Sequence, residues 1–168
     1  MGKKSKSKLT YILFGIYSIL LVWIIIFKLS VSITQVEMLL GPRSINFIPF
    51  YYKNETGFHY KEVIMNVIIF IPLGLYLKML DINSKKAAIF GLSFSFVLEL
   101  CQFIFSIGAS DITDILTNTF GTAMGVALYL LFVKVLKNRE KANKIISCLA
   151  LIATIAFVVL LLLLIAAN

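Results

Sequence analysis

Five long apolar runs follow one another along this chain, and short segments that hold most of its charges separate them. Each run is close to the ~20 residues that a helix needs to cross about 30 Å of hydrocarbon. We place these runs at residues 9–29, 63–80, 87–107, 111–135 and 145–167. The pattern predicts one all-α domain, a polytopic membrane bundle of about five transmembrane helices. Pro72 and Gly74 in the second run predict a kinked helix.

The composition agrees with this class, because 60% of the residues are hydrophobic and only 14% are charged. In a soluble protein a net charge of +8 would suggest nucleic acid as a partner. Here the basic residues flank the apolar runs, where they act as topology signals and contact lipid headgroups. We therefore expect membrane lipids, and no nucleic acid, as partners. Cys101 and Cys148 lie inside apolar runs and are expected to be small core residues.

Lys and Arg are distributed unequally between the two sides of the membrane that five spans define. They concentrate before the first run, between the second and third, and between the fourth and fifth. The positive-inside rule therefore predicts a cytoplasmic N-terminus. The first run follows "KKSKSK" but is too long for a signal peptide and lacks a small-residue cleavage site, so we interpret it as a retained helix. The aromatic and apolar loop 30–62 then faces outward, lying in the interface or folding over the helix ends.

The third run carries polar residues that a lipid-facing helix would exclude, because an ionisable group in mid-membrane costs roughly 2.5–3.5 kcal/mol. Ser95, Glu99, Gln102 and Ser106 fall within an arc of about 60° at 100° per residue. The remaining faces are mostly Phe, Leu and Val. This polar face is therefore predicted to point into the bundle.

The fourth run opens with "SDITDILTNTFGTAMG", which raises the same question. Asp111, Asp114 and Asn118 share an arc of about 80° with Gly121 and Gly125. The two glycines form a GxxxG surface, which lets another helix backbone approach closely. We therefore predict helix packing by the glycines and a polar site above them.

These polar groups are expected at one depth, in the outer half of the bilayer. Asn66 lies near the outer end of the second run, and Arg43 on the outer loop is the obvious cation to balance the carboxylates. The convergence predicts a polar pocket that opens to the extracytoplasmic side. The expected members of this pocket are Arg43, Asn66, Glu99, Gln102, Asp111, Asp114 and Asn118.

Structural roles are an alternative for several of these residues. Ser110 can cap the fourth helix, and Asp111 and Asp114 would suit the positive end of its dipole. Glu99 could be a neutral acid that holds helices together through Gln102 or Asn66. Arg43 alone would be an ordinary loop charge.

Four segments in this order, "RSINFIPF", "NVIIFIPLG", "ELCQ" and "DITDILTNTFGTAMG", resemble the VanZ-like family of bacterial membrane proteins. The resemblance covers about residues 40–135 and adds Asn46 to the pocket. The family often has an arginine three residues before the first Asp of the last motif, and this chain has Gly108 there. The matching positions are Arg43, Asn46, Pro49, Phe50, Asn66, Phe70, Pro72, Gly74, Glu99, Gln102, Asp111, Asp114, Asn118 and Gly121.

The resemblance implies a multi-pass protein of the bacterial plasma membrane with a role in the cell envelope. The founding member of the family is linked to reduced susceptibility to teicoplanin, a glycopeptide antibiotic that carries a fatty-acyl chain. A pocket in the outer half of the bilayer would be placed to bind such a lipoglycopeptide or a cell-wall precursor lipid. The expected function is therefore lipid-like ligand binding that alters antibiotic resistance.

Two other functions stay open at this point, and the sequence does not specify the oligomeric state. Glu99, Asp111 and Asp114 offer the oxygen ligands that Mg²⁺ or Ca²⁺ prefers, which would suit a metal-dependent enzyme acting on a lipid headgroup. Otherwise no cofactor is expected, and no Ser, His or Cys constellation indicates a catalytic residue. Buried carboxylates also suit an ion-coupled transporter, although no inverted repeat is evident.

Overall fold

The computed structural model describes residues 8–27, 40–41, 43–50, 60–107 and 110–166. Within these ranges each of the five helices is long and apolar enough to cross a membrane, which confirms the predicted all-α membrane bundle. The helices are α1 (Lys8–Phe27), α2 (Tyr60–Met79), α3 (Ser84–Phe105), α4 (Ile112–Leu136) and α5 (Arg139–Ala166). Which end faces the cytoplasm stays a prediction.

Some helices begin before the apolar runs from which they were predicted. α5 starts at Arg139 rather than at residue 145, and α3 starts at Ser84 rather than at residue 87. Hydropathy marks the part of a helix that suits hydrocarbon, and backbone hydrogen bonding continues into the flanking polar residues. The Asn83 side chain caps α3 by accepting the N–H of Lys85 at 2.9 Å. Positions 28, 29 and 167 of the predicted runs lie outside the described residues.

α4 packs closely against both α2 and α3, and its contact with α2 is the most extensive in the bundle. Glycines bring the two backbones together, because a Cβ at Gly125 would overlap the carbonyl oxygen of Ile71. A Cβ at Gly74 would likewise overlap the carbonyl oxygen of Thr122. Gly121 lies against the backbone of α2 in the same way. α2 and α4 therefore run parallel in a close small-residue interface of the kind that membrane helices favour.

Pro72 lies within α2, half-buried, and the helix continues past it to Met79. The kink that this proline implies stays a prediction.

The outer helices α1 and α5 complete the bundle. Leu21 and Ile25 of α1 join the core formed with Phe70 and Leu73 of α2. α5 exposes a long series of leucine, isoleucine and valine side chains, which suits contact with lipid. Cys148 of α5 is exposed, so its prediction as a core residue was wrong, because α5 buries little of its surface in the bundle.

The described part of the loop after α1 folds over the turn between α3 and α4. Strand β1 (Ile45–Asn46) pairs in parallel with strand β2 (Ser110–Asp111), with Asn46 opposite Asp111. Leu40 forms an antiparallel bridge with Ile107. The loop is thus attached to the ends of the helices that carry the polar residues.

The other end of the bundle is held by an arginine at the start of α5. Arg139 pairs with Asp81, and its guanidinium donates to the carbonyl oxygen of Lys78 at 3.0 Å and to the Tyr129 hydroxyl at 2.9 Å. That hydroxyl donates to Asn143 at 2.9 Å. We call this region, defined by Lys78, Asp81, Tyr129, Arg139 and Asn143, the basic end.

Candidate functional site

Glu99 lies at the centre of the polar residues where α3 meets α4. It is 4% exposed, and its Oε2 accepts the backbone N–H of Asp111 at 2.9 Å. The Ser110 hydroxyl donates to the carbonyl oxygen of Glu99 at 2.7 Å. Two hydrogen bonds from consecutive residues therefore fix the start of α4 against this one residue. We call the region around Glu99, Asp111 and Asp114 the acidic end.

Asp111 caps α4 and also contacts the loop. It has extended backbone angles, φ −126° and ψ 127°, and its Oδ1 accepts the N–H of Thr113 at 2.7 Å. Its Oδ2 accepts from Asn46 Nδ2 at 3.1 Å. The alternative in which Ser110 caps α4 is therefore not observed, because the Ser110 hydroxyl bonds α3 and Asp111 takes the capping role.

Asp114 connects α4 to α2 through Asn66. The Nδ2 of Asn66 donates to Oδ1 of Asp114 at 2.8 Å, and both side chains are half-buried. Asn66 thus meets α4 and not Glu99, which had been one of its expected partners. The polar residues of α4 reach two different neighbouring helices.

Asn118 lies one turn deeper and is fully buried. Its Nδ2 donates to the Ser95 hydroxyl of α3 at 2.9 Å, and neither side chain is exposed. The next turn is closed by Thr122, whose side chain lies against Gly91. The α3–α4 interface is therefore polar through two levels and tightly packed below them.

Gln102 is buried on the same face of α3 but is directed to a different helix. Its Nε2 donates to the carbonyl oxygen of Ile25 in α1 at 2.9 Å. This bond satisfies a carbonyl near the described end of α1. Gln102 therefore lies in the interior of the bundle, but its amide nitrogen bonds α1 and not Glu99.

Arg43 lies at the end of α3 and not between the carboxylates. Its guanidinium donates to the Ser106 hydroxyl at 3.3 Å and to the carbonyl oxygen of Ile104 at 3.2 Å. It also lies 5.8 Å from the centre of the Phe103 ring. A cation is favourable at a helix C-terminus, where carbonyl oxygens lack intrahelical partners. Among the residues that the structure describes, Arg43 forms no ion pair with an acidic side chain, so its expected role as their counter-ion is not what its contacts show.

Gly108, where the family pattern often has a second arginine, lies outside the described residues.

Thr113 is a residue of this region that sequence reasoning missed. It is fully buried, and its hydroxyl oxygen accepts the N–H of Phe50 at 3.0 Å. This bond is a second link between the loop and α4, beside the one from Asn46. A hydroxyl beside Asp111 in so apolar a chain was the available signal.

The placement of the acidic side chains bears on the possible metal site. In ranges 8–27, 40–41, 43–50, 60–107 and 110–166 no group of three or more His, Cys, Asp or Glu residues is placed to hold a metal ion. Glu99, Asp111 and Asp114, offered as metal ligands from the sequence, therefore do not form such a group.

A bundle of five membrane-spanning helices with a polar cluster at one end defines a multi-pass membrane protein. The chain belongs to the VanZ/LLP1 family, whose family model matches residues 14–133, and the resemblance seen in its motifs is confirmed. It is 40% identical over 152 residues to Protein VanZ from Enterococcus faecium, which covers 88% of this chain and 89% of the relative. No solved structure matches the chain significantly. The chain is thus a VanZ-like multi-pass protein of the bacterial cell membrane.

Proposed function

We propose that this chain affects resistance to teicoplanin or related lipoglycopeptides through a polar pocket in the outer leaflet that binds a lipid-like ligand. Membership of the VanZ/LLP1 family supports the link to resistance. The observation that carries the pocket is the buried Glu99, joined to Asp111 at the end of an apolar bundle. So costly an arrangement within a membrane usually marks a functional site.

Burial differs between the levels of the acidic end in a way that suits a ligand headgroup. Asp111 and Asp114 are half-buried, as are Asn46 and Asn66 that bond them. Asn118, one turn deeper, is closed off. The headgroup of a lipid-like ligand would therefore contact Asp111 and Asp114. The acyl chains of that ligand would lie along the apolar outer surfaces of the helices.

We infer binding and not catalysis from the contacts of the acidic residues. Asp111 has one carboxylate oxygen on the N–H of Thr113 and the other on Asn46. Glu99 accepts the N–H of Asp111. Groups that hold the backbone in place in this way are suited to shaping a binding site.

Antibiotic susceptibility tests the pocket. Cells would express the wild type, Glu99→Gln, Asp114→Asn or Arg43→Ala, and susceptibility to teicoplanin and to a glycopeptide without an acyl chain would be measured. We expect Glu99→Gln and Asp114→Asn to lose protection against teicoplanin. Asp81→Asn, which removes a carboxylate charge at the basic end, is the matched control and should keep it. Unchanged resistance in all pocket variants, with the proteins made and inserted, would refute the pocket.

Cysteine labelling tests the orientation on which an outer-leaflet pocket depends. Ser110 is buried, so Ser44, which is exposed at the same end, is the better probe. Lys85 is exposed near the opposite end. In a background with Cys101→Ala and Cys148→Ala, a membrane-impermeant thiol reagent should label Ser44→Cys in intact cells and Lys85→Cys only after lysis. The reverse pattern would place the acidic end in the cytoplasm.

A further inference from the structure

The interior beside Glu99 holds acceptor atoms that lack donors. The amide of Gln102 has a fixed orientation, because only its nitrogen can donate to the carbonyl oxygen of Ile25. Its Oε1 is buried and has no hydrogen-bond partner among the described residues, and the side chain is 4% exposed. A buried carbonyl oxygen without a donor is costly, so this atom indicates a missing donor.

Asn118 repeats this feature one level deeper. Its Nδ2 donates to Ser95, and its Oδ1 is buried without a hydrogen-bond partner in the described part of the chain. In this orientation Asn118 has the same deficit as Gln102, a buried amide oxygen without a donor among the described residues. The two amides therefore indicate an unmet need independently of the carboxylates.

All of these acceptors lie on the interior faces of α3 and α4. Gln102 is one turn from Glu99 on the same face of α3, and Asn118 is one turn from Asp114 on α4. The acidic end thus combines three carboxylates with the amide oxygen of Gln102, and the oxygen of Asn118 lies one turn below them. The guanidinium of Arg43 is directed to the end of α3. A phosphate or carboxylate headgroup at the acidic end would be repelled by the negative charge of Glu99, Asp111 and Asp114.

We propose that the acidic end recognises a protonated primary amine on a membrane-embedded molecule. This inference rests on the pocket proposed above and names the chemistry of its ligand. An ammonium group has three N–H donors and no acceptor, so it can satisfy a carboxylate and an amide oxygen together. A quaternary ammonium carries the same charge without an N–H. Both an aminophospholipid headgroup and an amine of a lipoglycopeptide supply this group.

Three amphiphiles with the same chain separate these chemistries. The purified full chain, in nanodiscs of phosphatidylcholine, would be titrated with dodecylamine, dodecyltrimethylammonium and dodecyl phosphate. We expect dodecylamine to bind on the order of tenfold more tightly than either of the others. Equal binding of all three, tighter binding of the phosphate, or no binding of the amine would overturn the inference.

Variants locate the binding. Glu99→Gln and Gln102→Leu should each weaken dodecylamine binding on the order of tenfold, and Asp81→Asn should leave it unchanged. Helical circular dichroism and a single gel-filtration peak show that each variant is folded. If Gln102→Leu fails to fold, the isosteric Glu99→Gln decides. Undiminished binding to folded Glu99→Gln would contradict the assignment.

Competition identifies the source of the amine. Displacement of dodecylamine by phosphatidylethanolamine vesicles assigns a lipid headgroup, and displacement by teicoplanin but not by amine-acetylated teicoplanin assigns the antibiotic. Displacement by neither contradicts the proposal. Variants that change teicoplanin susceptibility without any amine binding would leave the proposed function standing and refute this inference. Amine binding without an effect on susceptibility would support this inference and refute the proposed function.

Discussion

The acidic end and the basic end both carry charged side chains, but these charges are stabilised by water at one end and by protein groups at the other. At the basic end Arg139 and Asp81 pair directly and are 47% and 51% exposed, so water and salt screen them. At the acidic end Glu99 is buried and accepts a backbone N–H. The first arrangement is an ordinary surface contact, worth about 0–1 kcal/mol. The buried carboxylate of Glu99 is tolerated only because protein donors take the place of the water that would otherwise solvate it. Its contacts therefore restrict the surrounding structure far more than the surface ion pair does.

One helix contributes to both ends. α4 begins at the cap on Asp111 and carries Tyr129 in the contacts of Arg139. Between them Gly121 and Gly125 hold it against α2. A substitution in the glycine contact between α2 and α4 should therefore affect both ends, whereas a substitution at the acidic end or at the basic end should affect that end alone.

The largest effect is expected where both ends depend on the same contact. Gly125→Val places a side chain where the carbonyl oxygen of Ile71 lies, so α2 and α4 must separate. We expect destabilisation of at least about 3 kcal/mol or loss of folded protein, measured by thermal unfolding in detergent. Gly15→Val is the matched control, because a Cβ there meets nothing within 4 Å. Equal stability of the two variants would show that the close packing is unimportant.

The next effect separates the need for an acceptor from the need for a charge at the acidic end. Glu99→Leu leaves the backbone N–H of Asp111 without its acceptor and should cost roughly 2 kcal/mol. Glu99→Gln retains an oxygen at that position and should cost less. Chemical unfolding in mixed micelles would compare them. If the leucine variant is the more stable, Glu99 does not support the start of α4.

A smaller effect is expected from the helix cap. Asp111→Ala removes the acceptor for the N–H of Thr113 and should cost about 1 kcal/mol. Asp111→Asn keeps an oxygen at the cap and should lie between the alanine variant and the wild type. The same unfolding assay measures both. An alanine variant with wild-type stability would mean that the loop and Glu99 alone fix this turn.

The smallest effect is expected at the basic end. Asp81→Asn removes a half-exposed ion pair and should cost at most roughly 0.5 kcal/mol. The cost should shrink further when the unfolding experiment is repeated at about 1 M salt. A loss as large as that from Glu99→Leu would remove the distinction between the two ends.

Sequence predicted the bundle well because hydropathy reports directly on crossing a membrane. The α4 helix begins within a residue of its predicted apolar run, since the cap and the run coincide there. The α5 helix begins at Arg139, before its predicted run, because its first turns are polar. Helical spacing placed Glu99 and Asn118 on interior faces. It did not identify their partners, because spacing fixes direction around one helix and not which helix lies opposite. Gln102 thus reaches α1, and Arg43 bonds the end of α3 instead of a carboxylate.

The pairing of β1 with β2 has a consequence for biosynthesis. Asn46 and Asp111 are 65 positions apart, so the loop is synthesised well before the residue that holds it. At ~5–20 residues per second the interval is about 3–13 seconds. During it, two further helices must be inserted before the loop can bond to α4. The acidic end is therefore completed late, and an insertion error in α3 or α4 would leave the loop without its partner strand.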